Sequence, residues 1–196
     1  MSNRRIAVTV GILFFVQMVT FLIGSSLVQK FLDGETGRTT LTIGVLFELA
    51  AGAAIVAIGF LMYRVLKPVN QTVAAWYPAM RVAELTVTVV LGVYLLSQLK
   101  EFPNHLLWVY IPTGIGGLIL GYLLFVSRVV PRPIAVLGVV GYAMLLLGVS
   151  LDLAGAIDLN GGAGLVMLSP GGIFEFVVLP LWLIAKGFRA PAVKAI

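Results

Sequence analysis

The sequence predicts an all-α integral membrane protein, a bundle of six transmembrane helices. Three observations carry this. Hydrophobic residues make up 60% of the 196-residue chain and charged residues 11%, with a mean hydropathy of +1.09. A water-soluble domain of that size has too little interior to hide so much apolar surface. The apolar residues also fall in six continuous stretches, each about as long as the roughly 20 helical residues that cross a bilayer. Finally, the basic residues cluster at alternate ends of those stretches.

The first stretch, 6–28, follows Arg4 and Arg5. It is longer than the about 7–15 apolar residues of a signal peptide, so it is expected to be a retained span; "SNRRIAV" is a poor twin-arginine match. The second, 41–63, ends before Arg64 and Lys67, and the third, 78–99, opens at Pro78. The fourth, 106–126, ends before Arg128 and Arg132. The fifth covers 134–153, and the sixth, 163–187, carries Lys186 near its end and is followed by Arg189 and Lys194. No gap has room for a separate soluble domain, so residues 1–196 are expected to form one six-helix domain. Membrane β-strands alternate apolar and polar over about ten residues, whereas these runs are uniformly apolar and twice that length. Only a helix satisfies such a segment's backbone groups internally.

Nine basic residues at one set of helix ends face only Lys30, Arg38 and Lys100 at the other, which also holds Asp33, Glu35, Glu101, Asp152 and Asp158. By the positive-inside rule both termini are expected in the cytoplasm. The net charge of +5 is then a topology and lipid-headgroup feature, with no nucleic-acid partner expected. There is no cysteine, which excludes disulfides and thiolate metal sites and leaves the redox compartment unread.

Fragments of the chain recur. "RRIAV" at Arg4–Val8 returns as "RPIAV" at Arg132–Val136, and "VLFEL" at Val45–Leu49 is echoed by "GIFEF" at Gly172–Phe176. The first helical hairpin thus resembles the third in the same orientation, and "RVLKP" against "RVVPRP" links the middle one weakly. A bundle built from repeated hairpins is one explanation; chance similarity between apolar helices with basic ends is the other.

Ionisable residues inside the spans are few: Glu48, Arg81, Glu84 and Glu175. Each costs roughly 2.5–3.5 kcal/mol at a helix centre on insertion scales, so each should face protein or water. Arg81 and Glu84 are three apart, share a helix face and are expected to form an ion pair facing the interior, with Thr88 one turn further on. Small and polar residues extend such faces on every span, for example Gln17, Thr20 and Gly24, or Gly44, Glu48 and Gly52. Glu48, Arg81, Glu84, Glu175, Gln17 and Thr88 are therefore the candidate polar or ligand-site residues. Glu48 and Glu175 are placed in the outer half of the membrane, with Arg81 and Glu84 nearer the cytoplasm. If helices two and six are neighbours, Glu48 and Glu175 are expected to share one proton, which removes one of two desolvated charges. The same carboxylates serve equally as hydrogen-bonding glue.

Signatures of catalysis are missing. His105, the only histidine, lies beside Asn104 at the start of the fourth span and reads as an interfacial residue. Zinc catalysis needs three protein ligands, so no metal and no cofactor are expected. Neither Ser150 nor Ser169 is tied by a motif to a base. Asp152 and Asp158 lack the glycine–aspartate motif of a paired-aspartate membrane protease, and "NGGAG" at Asn160–Gly164 lacks the lysine of a phosphate loop. Trp76–Tyr77 and Trp108–Tyr110 are expected as interfacial anchors.

"RRIAVTVGILFFVQM", "RVAE" at Arg81–Glu84, "RPIAVLGVVGYAMLLLG" and "SPGGIFEFVVLPLWLIAKGF" together resemble the bacterial and archaeal membrane family called domain of unknown function 4386. The resemblance covers nearly the whole chain and implies a multi-spanning protein, without an activity. The expectation is therefore a multi-pass protein of a prokaryotic cytoplasmic membrane, surrounded by lipid. An architectural or partner-binding role ranks first, in complex with another membrane protein or with its own copies. The alternative is a small transporter or ligand-binding protein with a polar intramembrane site, and an enzyme ranks last. A dry interior would favour the first, and a water-filled cavity reaching Glu48 or Glu175 the second.

Overall fold

A computed structural model describes residues 2–189, apart from the side chain of Ala163. Lys194, one of the nine basic residues assigned to the cytoplasmic ends, lies outside them. The helices are α1 (Asn3–Leu32), α2 (Arg38–Leu66), α3 (Gln71–Gln98), α4 (His105–Ser127) and α5 (Arg132–Leu153). The last span has three parts: α6 (Leu165–Ile173), a π-helical turn (Phe174–Val178) and α7 (Leu179–Ala185). A 3-10 turn at Gly162–Gly164 leads into it, and no strand occurs among the described residues.

The first two helices overrun their apolar stretches at both ends because their polar ends are helical too, whereas the last span, Leu165–Ala185, stops two residues short at each end. The largest difference is in α3, which starts at Gln71 instead of Pro78. Asn70 caps it, its side chain accepting from the Val73 N–H at 3.0 Å, so the first turn is satisfied before the apolar run begins. Pro78 then lies inside the helix, pressed against α2 at Gly59. Leu99 and Arg128, at φ 54° and 56°, end α3 and α4 in the left-handed conformation.

Each helix packs on its neighbours in sequence, and the last span closes back onto α1. The result is a ring of three antiparallel hairpins. At the end carrying both termini, Arg4 reaches over α7 and donates to the carbonyls of Leu183 at 3.2 Å and Ile184 at 2.7 Å. These are orphan carbonyls of a helix C-terminus, where a cation is favoured. At the opposite, distal end, the Tyr110 hydroxyl donates to Asn160 Oδ1 at 3.1 Å, and Asp152 accepts from the Leu159 N–H at 2.6 Å.

The interior is unevenly filled. Much of the large apolar core lies in the terminal half, with Val10, Phe14, Ile58, Met62, Leu120 and Leu183 fully or almost fully buried. The distal half has a smaller cluster, Val28, Leu41, Val45 and Leu95. Outside, large apolar side chains such as Leu22, Leu46, Phe60, Val93 and Val166 are more than half exposed, the surface expected of helices bathed in lipid.

Glycines set the closest crossing. A Cβ on Gly141 would lie 2.6 Å from Gly171 Cα, backbone against backbone. Gly141→Ala is therefore expected to push α5 from α6 and cost about 1–3 kcal/mol, the usual range for overpacking. Thermal unfolding in detergent measures it; unchanged stability would mean that the two helices do not touch there.

Candidate functional site

Helix α3 brings three side chains to one inward face: Tyr77, Arg81 and Glu84. Arg81 Nη1 donates to Glu84 Oε2 at 2.7 Å, and its guanidinium lies 5.1 Å from the Tyr77 ring centre, within cation–π range. Arg81 is only 1% exposed. Its Nε and Nη2 and the Tyr77 hydroxyl have no hydrogen-bond partner among the described residues. Nη2 lies 3.7 Å from Glu175 Oε1. The other carboxylate oxygen of Glu175 accepts from the Tyr142 hydroxyl of α5 at 2.5 Å.

The π-helical turn has a local cause and places Glu175. Pro180 has no N–H, and in α-helical register its ring would collide with the carbonyl of Phe176, four residues back. Widening the preceding turn relieves this, and the Leu179 N–H bonds Phe174 O, five residues back. Such single π turns are frequent at functional sites. Tyr142 depends on Gly117 of α4, where a Cβ would run into the tyrosine ring.

Two expectations are corrected here. The condition for Glu48 and Glu175 to share a proton is not met: α1 packs between α2 and the last span, and Glu175 is held by Tyr142 and Arg81. The error was one of depth. Glu175 is the central residue of Leu165–Ala185 and Glu84 lies at the middle of Gln71–Gln98, so Arg81, one turn away, reaches both. Tyr77 is not an interfacial anchor but fully buried, whereas Trp76 beside it is exposed.

Above this cluster lies a cavity of about 240 Å³. Every span contributes: Gln17, Glu48, Glu84, Thr113, Tyr142 and Glu175 all line it. Thr88 lines it too, its hydroxyl bonded to the Glu84 carbonyl at 3.0 Å. Of the six sequence candidates only Arg81 is off the wall, beneath the two acids it holds. Tyr142 escaped the sequence reading, and Tyr77 entered it only as an anchor. The signal for Tyr142 was its place beside Gly141 on the small-residue face of α5, where a phenol needs a partner. Towards the distal end the cavity meets a vestibule of about 480 Å³, lined by Glu101, Asp152, Asp158 and also by Glu48. His105 Nδ1 pairs with Glu101 at its rim.

Six helices long and apolar enough to span a membrane, an apolar outer surface and charges confined to the ring's interior and ends define a multi-pass membrane protein. A family model described as Domain of unknown function (DUF4386) matches residues 6–101 and 90–187, and the chain belongs to that family. No curated protein and no solved structure matches it.

Proposed function

We propose that this protein binds a small ligand within its helical ring, as a small transporter or membrane receptor does. The observation that carries this is the cavity, lined from all six spans and reaching Glu48, Glu84 and Glu175. An architectural protein gains nothing from such a space: unfilled volume forfeits packing, and buried carboxylates are costly. The interrupted last span supports the same reading, since broken helices that line a cavity recur in transporter sites. The remaining placement is also inferred. The basic terminal end faces the cytoplasm of a prokaryotic cell, the cavity opens to the other side, and the chain forms one domain.

The absence of native cysteine makes the test free of background. Thr88→Cys, on the cavity wall, is expected to react with water-soluble iodoacetamide in nanodiscs, while Val90→Cys, on the 60%-exposed outer face, stays unmodified in lipid. An unreactive Cys at position 88 would return the protein to the architectural reading.

A further inference from the structure

The chemistry of the cavity wall selects a ligand class. The cavity and its vestibule present hydrogen-bond acceptors, and neither is lined by a Lys or Arg among the described residues. Gln17 is 6% exposed, lines the cavity, and its Oε1 has no hydrogen-bond partner among the described residues. A buried acceptor left empty costs the full desolvation of that group, so it calls for a donor. Glu48, on the same wall, has no ion-pair partner among the described residues. Glu84 and Glu175 are already engaged by Arg81 and Tyr142, which closes the floor to a second cation of Arg81's kind but leaves Gln17 and Glu48 open.

The vestibule adds Asp152 and Asp158 to Glu101, which lines both spaces; among the described residues, only Glu101 of these three has a basic neighbour, His105. A mouth lined by one sign of charge within low-dielectric walls concentrates ions of the opposite sign and repels those of the same sign. The rest of the cavity wall is apolar, including Ile55, Leu91, Val109 and Leu145. A bare metal ion does not suit it: no group of three metal-ligating side chains exists among the described residues. The volume, about 240 Å³, is that of roughly eight waters and lies just under the usual range of ligand pockets.

We propose that the cavity takes a small organic ammonium ion, its N–H groups donating to Gln17 Oε1 and the Glu48 carboxylate and its apolar body lying against Ile55, Leu91 and Leu145. Access is from the distal end, past the acidic vestibule. This rests on the ligand-binding reading above and gives that site its chemistry.

Three probes with the same body and different heads test it: 2-phenylethylammonium, 2-phenylethanol and 3-phenylpropionate. Each is titrated as a protectant of Thr88→Cys against iodoacetamide in nanodiscs. The ammonium is expected to protect at a concentration at least about tenfold lower than the alcohol, and the carboxylate not to protect, as a charge-assisted hydrogen bond within low-dielectric walls requires. Gln17→Leu and Glu48→Gln should each raise the half-protecting concentration of the ammonium by about tenfold and that of the alcohol, a weaker neutral donor, by clearly less. Glu48 is only half-buried, so its variant keeps the test valid should the Gln17 variant misfold. If the alcohol or the carboxylate protects as well as the ammonium, or none protects, the ammonium assignment is overturned while a labelled cavity keeps the ligand reading. If Thr88→Cys is unreactive before any probe is added, both fall.

Discussion

Replacing Arg81 by methionine should cost about 3–5 kcal/mol of stability, the penalty for removing one partner of a buried charge pair. The guanidinium serves two acids at once, Glu84 at 2.7 Å and Glu175 at 3.7 Å, and all three groups are almost wholly shielded. Methionine fills much of the same volume, so the loss is electrostatic. The decisive comparison is among combined variants. Arg81→Met with Glu84→Gln still strands Glu175, and should be more stable than Arg81→Met alone but well below the native protein. Adding Glu175→Gln removes the last unmatched charge and should recover further stability, because a neutral hydrogen-bonded cluster costs less to bury than unmatched ions. Unfolding in a mild detergent, followed by circular dichroism, gives the order. Additive losses across the series would mean that the three side chains do not form one network.

The fold was legible because its signals are large. Hydropathy marks each span over some twenty residues, and the charge asymmetry repeats at every helix end, so single misjudged positions do not alter the count. Span edges were less legible: Asn70 begins α3 through one capping hydrogen bond, invisible to a hydropathy window that starts at Pro78. The site was legible in its residues and in the Arg81–Glu84 pair on one helix face, and not in its pairings between helices. A charged side chain in an apolar run announces that it needs a partner, so Arg81, Glu84, Glu175 and Glu48 stand out, yet the partner is chosen by helix order in the ring. That order puts α1 between Glu48 and Glu175, and no residue of α2 or the last span records it. Tyr142 was hidden for a different reason: a tyrosine contributes to hydrophobic runs, and its hydroxyl matters only once Glu175 lies opposite. The cavity has no sequence signal at all, since it is space left between side chains.

The second large effect concerns Glu175 itself. Glu175→Ala should cost about 2–4 kcal/mol, because it leaves the Tyr142 hydroxyl without an acceptor and takes from Arg81 one of its two counter-charges, all in a buried setting. Glu175→Gln separates these contributions. The amide oxygen still accepts from Tyr142, and Arg81 keeps Glu84, so the loss should stay within about 1.5 kcal/mol. Tyr142→Phe removes the donor and keeps the ring that Gly117 accommodates; it should cost about 1 kcal/mol, the net worth of a typical hydrogen bond. In the Glu175→Ala background the same change should cost almost nothing, since the phenol has already lost its acceptor. That double-mutant cycle isolates the contact between α5 and the π-helical turn. If Tyr142→Phe costs the same with Glu175 present or replaced by alanine, the hydroxyl does not bond the carboxylate, and Glu175 is held on the cavity wall by Arg81 alone.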